Sequence, residues 1–320
     1  MMSRCLTAGT AGALALIGLV AAAPARAAEP VFPLASHIGL VPPGDMKAAV
    51  AFRGFEDRNT QASLLIVEIP PQASAEVEKE LNAAGLKKQG MTEEKRESVT
   101  LKDGKGILIV GDQEADGKKL RKWILLATMP QGTALIAVQI PEAAKSRYPD
   151  ADTRAALMST TVRDHVPIEE QLGLVPVRFD ELSGMRPFRV VGNSAVFLTD
   201  GATDPQEATA QPLLIVTVAP GGPEQPSDRD NFSRRLFSTL TDFKDVRIIG
   251  GDVLRLGAGT TYELQGEGKD PKTDTPVKLV QWIRFGGGAF IRFVGIARTD
   301  VWLDAFPKFR AVRDGTKPRG

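Results

Sequence analysis

The sequence contains one internal repeat, and this repeat limits the possible folds more than any other feature of the chain. The motif IGLVP at 38–42 returns as LGLVP at 172–176. Three further echoes follow in the same order: LLIV at 64–67 and 213–216, WI at 123–124 and 282–283, and VRD at 162–164 and 312–314. The spacing between copies changes along the chain, which excludes a fixed-period solenoid and favours two domain copies with different loop lengths. We therefore predict two tandem homologous domains, 28–167 and 168–320, joined at a short polar boundary.

The first 27 residues have the pattern of a secretory signal peptide. Arg4 precedes an uncharged stretch at 6–23, and the small residues Ala25 and Ala27 predict cleavage after Ala27. The alternative is an uncleaved membrane anchor, because the stretch approaches the length that spans a bilayer. Cleavage is favoured since Ala, Gly and Thr dominate the stretch. The predicted location is the bacterial periplasm or the outside of the cell, with no transmembrane segment after cleavage.

Apolar runs and turn residues in the first copy predict two strands followed by a helix. The strands are expected at 48–55 and 62–69, and the apolar run at 64–67 is typical of a strand covered on both faces. The helix is expected to begin at Ser74 and to end at Gly85. Further along, an antiparallel meander is predicted from strands at 97–101, 105–110, 120–128 and 133–140, and Asp152 is expected to cap a closing helix.

The second copy repeats this order of elements. Its predicted elements are a strand at 213–218, a helix at 228–240, strands at 253–256, 260–265, 277–285 and 289–296, and a helix at 301–310. Strands in runs, with helices at fixed places, are typical of the α+β class, so each domain is expected to be an antiparallel sheet packed with helices. Residues 315–320 carry no apolar side chain and are expected to form a frayed tail.

Several motifs of the first copy resemble the PsbP-like family, which is named for an extrinsic subunit of photosystem II. These are LVPP at 40–43, FRGFED at 52–57, SLLIVEIP at 63–70, the glycine turn at 103–104 and KWI at 122–124. The resemblance covers most of 38–164 and, through the repeat, 172–313. In the second copy a longer insertion at 199–205 replaces the FED turn. The resemblance implies a binding or assembly module that docks onto partners, and it assigns no catalytic residue.

Two groups of charged residues are candidates for contact with a partner. One is the turn at Glu56 and Asp57, and the other is the densest positive cluster: Lys118, Lys119, Arg121 and Lys122. This cluster suits an anionic lipid headgroup, a polyanion or an acidic protein face. Its structural alternative is a basic hairpin edge, where lysines discourage aggregation. With 40 basic and 39 acidic side chains the chain has no global field for nucleic acid, and none is predicted as a partner.

The inventory of reactive side chains predicts no catalytic residue, no cofactor and no metal site. Cys5 is the only cysteine and leaves with the signal peptide, and His37 and His165 are the only histidines. Both histidines flank the first domain and are expected in surface or capping roles, although they could meet in space. The alternating carboxylates at 112, 114 and 116 lack the later glutamate of a calcium loop and predict a solvated turn.

Other chemical features have structural explanations. No G-x-S-x-G, S-x-x-K or H-E-x-x-H motif occurs, and the glycine runs at 257–259 and 286–288 lack the spacing of a phosphate loop. Trp123 and Trp282 occupy equivalent places in the two copies and are expected in the cores of the sheets. The carboxylates of Glu56, Asp57 and Glu68 are the candidates for a hydrolase that works with paired acids.

These observations leave three functional hypotheses. The first is an exported, non-catalytic binding or assembly module of the bacterial cell envelope that docks a protein partner, as yet unknown, through PsbP-like domains. The second is a periplasmic protein that binds a small ligand in a pocket between the domains. The third is a hydrolase that uses carboxylates such as those of Glu56 and Asp57.

Overall fold

The computed structural model describes residues 28–115, 117–256 and 259–319, so the predicted signal peptide at 1–27 lies outside the described residues. The described chain forms two seven-stranded antiparallel sheets, one in each copy of the repeat. Helices pack against both sheets. The predicted α+β class with two tandem antiparallel domains is confirmed. None of the helices in the described ranges is long and apolar enough to cross a membrane.

The elements of the first domain follow the predicted order. Its strands are β1 (Ile38–Gly39), β2 (Lys47–Ala48), β3 (Gly54–Asp57), β4 (Ala62–Ile69), β5 (Met91–Leu101), β6 (Gly104–Ala115), β7 (Lys118–Met129), β8 (Gly132–Pro141) and β9 (Thr161–Val162). Its helices are α1 (Ser74–Glu80), α2 (Ala83–Lys88) and α3 (Asp150–Met158). The sheet order is β2-β3-β4-β8-β7-β6-β5, and β1 pairs with β9 beside it.

The second domain repeats this topology. Its strands are β10 (Val177–Phe179), β11 (Arg186–Val191), β12 (Ala195–Thr199), β13 (Leu213–Pro220), β14 (Lys244–Leu256), β15 (Gly259–Lys269), β16 (Pro276–Gly286), β17 (Ala289–Arg298) and β18 (Thr316–Pro318). Its helices are α4 (Ile168–Gly173), α5 (Arg229–Phe237) and α6 (Trp302–Gly315). The sheet order is β11-β12-β13-β17-β16-β15-β14, the same path through the sheet as in the first domain.

Each sheet has an apolar cluster on both faces. In the first domain, one face packs against Leu157 of α3 and the other against Leu86 of α2. In the second domain, the corresponding clusters contain Phe309 of α6 and Phe237 of α5. We call these the α3 and α2 faces of the first sheet and the α6 and α5 faces of the second. Trp123 and Trp282 lie in the α3-face and α6-face cores, which confirms their predicted packing role.

The register of the sheets differs from the register of the sequence echoes. Leu64 lies in the core on the α3 face, whereas Leu213, its match in the LLIV echo, lies on the α5 face. Trp123 is in register with Val138 and Leu64, and Trp282 is in register with Phe293 and Val216. When the tryptophans are aligned, Leu64 therefore corresponds to Val216. The echoed run matches in composition and not in position, since a shift of an odd number of residues turns a strand over.

Three local predictions are wrong. The strand at 48–55 is instead β2 and β3 with a loop between them. The helix expected from Ser74 to Gly85 is instead two helices, because Asn82 accepts the backbone N–H of Gly85 and begins α2. Gly85 does not end a helix: a Cβ there would lie 2.0 Å from the carbonyl oxygen of Glu80, so the glycine allows this close approach.

The ends of the closing helices also differ from expectation. Helix α3 begins at Asp150 after Pro149, so Asp152 lies inside the first turn and is not the cap. The expected frayed tail is ordered over 315–319, because β18 pairs with β10 and Arg319 donates its backbone N–H to Pro176. Backbone pairing holds this segment without help from apolar side chains.

Candidate functional site

The turn at Glu56 and Asp57 divides its two carboxylates between the faces of the first sheet. Asp57 is buried, and its oxygens accept hydrogen bonds from the Tyr148 hydroxyl (2.7 Å), the Thr60 hydroxyl (2.8 Å) and the backbone N–H of Asn59 (3.0 Å). The Tyr148 hydrogen bond is the main reason that the pKa of Asp57 is lowered to about 2. Asp57 therefore holds the turn together as a carboxylate that is ionised near neutral pH. It is neither presented to a partner nor suited to act as a general acid.

Acid should weaken the first domain through this carboxylate. The ordinary pKa of 3.8 applies to unfolded Asp57, so its contribution to stability is complete above pH 4 and disappears as the pH falls towards 2. We expect Asp57→Asn to reduce the drop in melting temperature between pH 5 and pH 2.5, followed by circular dichroism. Asp164→Asn, which alters an exposed carboxylate of the same domain, is the control. An unchanged acid dependence in Asp57→Asn contradicts the assignment.

The predicted basic cluster is also divided, because successive side chains of β7 alternate between the two faces. Arg121 lies on the α3 face, where its guanidinium contacts the carboxylates of Glu94, Asp112 (3.7 Å) and Asp150 (2.8 Å). Burial opposes the charge of Arg121, but the ion pairs with Glu94 and Asp150 prevail and raise its pKa. Arg121 is thus neutralised within the domain. Lys119 lies on the same face of β7, directly opposite Glu114 of the neighbouring strand β6.

Lys122 and Lys118 lie on the opposite, α2 face. The ammonium group of Lys122 donates to the side-chain oxygen of Gln113 at 2.8 Å, and partial burial lowers its pKa. Neither lysine has a carboxylate within ion-pair distance among the described residues. Glu56 lies in the same row of this face, because Glu56, Ser63, Gln139 and Lys122 are in register across β3, β4, β8 and β7. The structure therefore brings Glu56, Lys118 and Lys122 to one face and turns Asp57, Lys119 and Arg121 to the other.

The middle of the α2 face is only partly covered. Leu65 and Val67 of β4 are 39% and 41% exposed, so the run at 64–67 is not covered on both faces as predicted. The helices α1 and α2 pack nearer β5, β6 and β7, around Leu86 and Ile109. This leaves two large aliphatic side chains of a central strand in contact with solvent.

In the second domain the corresponding face is covered by the chain itself. The β12–β13 connection, residues 200–212, crosses the α5 face, and we call it the strap. Ala208 of the strap packs against the α5-face core together with Phe188, Phe197 and Ile215, which are all partly buried. In the first domain the β3–β4 connection spans only residues 58–61, which leaves no chain to play this part.

The two histidines lie at the junction of the domains. They line a pocket of about 330 Å³ whose walls come from both domains: Ala35, His37, Arg53, Glu68, Asp164, His165, Val166, Gln171, Leu174, Val190 and Gly192. Glu68 accepts hydrogen bonds from the Ser36 hydroxyl (2.7 Å) and the His37 backbone N–H (2.9 Å), and its second oxygen lies 3.1 Å from His37 Nδ1. Partial burial opposes ionisation of Glu68, but these hydrogen bonds prevail and lower its pKa.

The pocket has neither a nucleophile nor a metal site. The Ser36 hydroxyl is fully buried and donates to Glu68 rather than to His37, so the three residues do not form a catalytic triad. Among the described residues no group of His, Cys, Asp and Glu side chains could hold a metal ion. The arrangement can bind and orient a small polar molecule, but it offers no activated group.

Arg163 closes the junction. It makes a bidentate ion pair with Glu170 of α4 (2.9 and 2.6 Å), donates to the Ser36 carbonyl (2.9 Å) and lies over the Phe32 ring at 4.5 Å. In the sequence this arginine stands out only as part of the VRD echo. Arg163 and Ser36 are 127 residues apart in the chain, so no local sequence pattern could predict their contact or the junction that it closes.

No protein-family model and no curated protein matches the chain. Solved structures match it in fold. LpqN of Mycobacterium tuberculosis, described as involved in cell envelope biogenesis, is 13% identical, covers 45% of this chain and 83% of its own, and has a TM-score of 0.36. PsbP of Synechocystis sp. PCC 6803 is 11% identical, covers 42% of this chain and 93% of its own, and has a TM-score of 0.30.

Some of the matching structures extend over both domains. The immunity protein TplEi of the T6SS from Pseudomonas aeruginosa is 11% identical, covers 91% of this chain and 97% of its own, and has a TM-score of 0.30. The likeness to a PsbP structure that the motifs predicted is thus found, and all three likenesses concern the fold alone.

Proposed function

We propose that this chain is an exported, non-catalytic binding or assembly module of the bacterial cell envelope that docks a protein partner through its PsbP-like domains. The observation that supports docking is the incomplete α2 face of the first domain. Leu65 and Val67 stand exposed on a central strand of this face, and the first domain has no connection like the strap, which in the second domain packs on the α5 face beside Phe197 and Ile215. A solvent-exposed apolar strip with a polar rim is typical of a surface that a partner covers.

The geometry weakens the hydrolase hypothesis. Paired carboxylates act as acid and base only when one of them is protonated near neutral pH. Asp57 has a pKa of about 2 and three hydrogen-bond donors on its oxygens, and Glu56 accepts a hydrogen bond from Arg58 at 2.7 Å. The pKa of Glu68 is also lowered. Asp57 and Glu68 are therefore held as ionised carboxylates, and the hydrogen bond from Arg58 engages Glu56.

The junction pocket supports the second candidate function, the binding of a small ligand between the domains. Its walls combine Arg53 and two histidines with the carboxylates of Glu68 and Asp164, so a small molecule carrying both charges would be complementary. An intact native mass of the purified protein tests this: a discrete added mass that is lost in Arg53→Met supports a ligand. A bare polypeptide mass that stays bare after incubation with periplasmic extract opposes it.

The docking proposal predicts that the exposed aliphatic pair is needed for partner recovery and not for folding. In-cell crosslinking in the native envelope, followed by purification and mass spectrometry, should retain a discrete protein on the wild type. Leu65→Ser with Val67→Ser should reduce that recovery by about tenfold, because buried anchor residues carry most of an interface's energy. The same experiment reports the mass of the mature chain and so tests cleavage after Ala27.

The matched control is Leu303→Ser, which removes an 86% exposed aliphatic side chain from α6 in the second domain. Recovery should stay at the wild-type level in this variant. If both variants keep the partner, docking does not use the α2 face. If the wild type retains no protein at all, the assembly function itself is wrong.

A further inference from the structure

The strap of the second domain shows which chemistry can cover this end of the fold. Between β12 and β13 it passes the β15–β16 hairpin, where the Glu207 carboxylate pairs with Lys272 Nζ at 3.0 Å. The Thr209 hydroxyl donates to the Asp270 carboxylate at 2.7 Å, and Ala208 packs on the sheet between these two contacts. A segment that turns at residues 207–210 is thus fixed by an acidic residue, a small apolar residue and a hydroxyl.

The corresponding end of the first domain has the hairpin without the strap. The β6–β7 hairpin stands where β15–β16 stands in the second sheet, and it carries Lys118 and Lys122 on the α2 face. Its sequence lacks a covering segment because residues 58–61 only make a tight turn from β3 to β4. The first domain therefore has lysines at this end of the sheet and no strap to bring acidic residues to them.

More positive charge gathers beside these lysines. Gln113 joins Lys122 to the end of α2, since its amide donates to the Gln89 carbonyl at 2.7 Å while its oxygen accepts from Lys122. The last residues of α2 are Lys87 and Lys88, which are exposed. Among the described residues, no carboxylate lies within ion-pair distance of these four lysines.

The acidic groups near this patch are engaged or face elsewhere. Glu114 and Asp112 belong to the opposite side of β6 by strand alternation, where Asp112 meets Arg121 and Lys145. Glu56 shares the α2 face with Lys122 but lies three strand spacings away, about 14 Å, and is held by Arg58. The lysines of this end thus form a local positive surface on a chain whose total charge is close to zero.

The strap has the complementary charge. Residues 200–212 include Asp200, Asp204 and Glu207 and contain no basic side chain. We propose that the α2 face of the first domain, at the β6–β7 end, binds an acidic segment of the protein partner in the position that the strap occupies in the second domain. This inference rests on the proposed docking function and specifies its partner: the segment pairs with Lys118 and Lys122 and extends towards Leu65.

Site-specific photo-crosslinking tests the inference. The photo-crosslinker is introduced by the change Gln139→benzoylphenylalanine. Position 139 lies between Ser63 and Lys122 on this face. In cells, it should capture one envelope protein through a segment rich in Asp and Glu, identified by mass spectrometry. Lys118→Gln with Lys122→Gln should lower the crosslink yield by about tenfold, because two charge contacts are lost, one of them partly desolvated.

The charge-matched control is Lys102→Gln with Lys105→Gln, at the β5–β6 hairpin on the opposite end of the same sheet. Its crosslink yield should stay within about twofold of the wild type, since surface charges at this separation are screened. Circular dichroism of both double variants confirms that they are folded, so a lost crosslink reports binding.

Three results would overturn the inference. Capture of an anionic phospholipid in place of a protein assigns the lysines to a membrane surface. Capture of a protein with equal yield in both double variants, or through a segment without acidic residues, removes the acidic partner. Failure of the probe at position 139 while whole-protein crosslinking still recovers a partner moves the docking site elsewhere and leaves the proposed function standing.

Discussion

Arg313→Met is expected to lower the free energy of unfolding of the second domain by about 3–5 kcal/mol, the usual cost of breaking a buried ion pair. Arg313 is only 2% exposed and lies over the Trp282 ring, 4.8 Å from its centroid. One of its nitrogens is 3.7 Å from the Glu263 carboxylate, and two others bond to Asp314. Methionine fills most of the space but leaves the carboxylate of Glu263 buried without a cation.

Urea unfolding of residues 28–320 measures this cost, with tryptophan fluorescence and circular dichroism followed together. Arg310→Met is the control, because it removes an exposed arginine from the same helix. Adding Glu263→Gln to Arg313→Met should restore part of the stability, since the uncompensated charge then disappears. A loss below about 1 kcal/mol in Arg313→Met would show that the buried pair contributes no more than a surface contact.

The meander of each sheet could be predicted from the sequence because it is locally encoded. The strands from β5 to β8 follow each other through short turns, so alternation and turn residues are enough to assign an antiparallel meander. The repeat then carried the same assignment to β14–β17. A second copy of the pattern gave independent support for the α+β class, which is why the architecture was predicted better than any single boundary.

The positions of residues within this topology depended on contacts that are distant in sequence. Whether Leu64 or Leu65 faces the larger core is fixed by the pairing of β4 with β8, and the LLIV echo does not encode that pairing. The tail at 316–319 is ordered by β10, whose strand lies more than a hundred residues earlier. Composition predicted a frayed end because backbone hydrogen bonds to a remote strand leave no signature in the residues themselves.

The candidate site shows the same limit. The division of the basic cluster follows from strand alternation once β7 is assigned, so Arg121 and Lys122 could have been separated from sequence. The absence of a strap in the first domain is visible as a shorter connection at 58–61, but its meaning requires the covered face of the second domain. His37 and His165 line the same pocket because of how the two domains pack, which no local pattern determines.

The two tryptophans of the sheets offer a matched pair of substitutions. Trp282 Nε1 donates to the Glu263 carboxylate at 2.5 Å, whereas Val110 stands opposite Trp123, and the buried Nε1 of Trp123 has no hydrogen-bond partner among the described residues. The change to phenylalanine removes the same atoms from two well-packed cores. Any difference in cost therefore reports the hydrogen bond and the carboxylate left behind.

Trp282→Phe is expected to cost about 3 kcal/mol and Trp123→Phe about 1 kcal/mol. In the second domain the substitution leaves a buried carboxylate short of a donor, and in the first it removes a donor that was already unsatisfied. Urea unfolding followed by circular dichroism measures both values on the same chain, and each variant is the other's control. Equal losses would mean that the Trp282–Glu263 hydrogen bond adds nothing to stability, and that Arg313 and the Gln265 amide are enough to hold the buried carboxylate of Glu263.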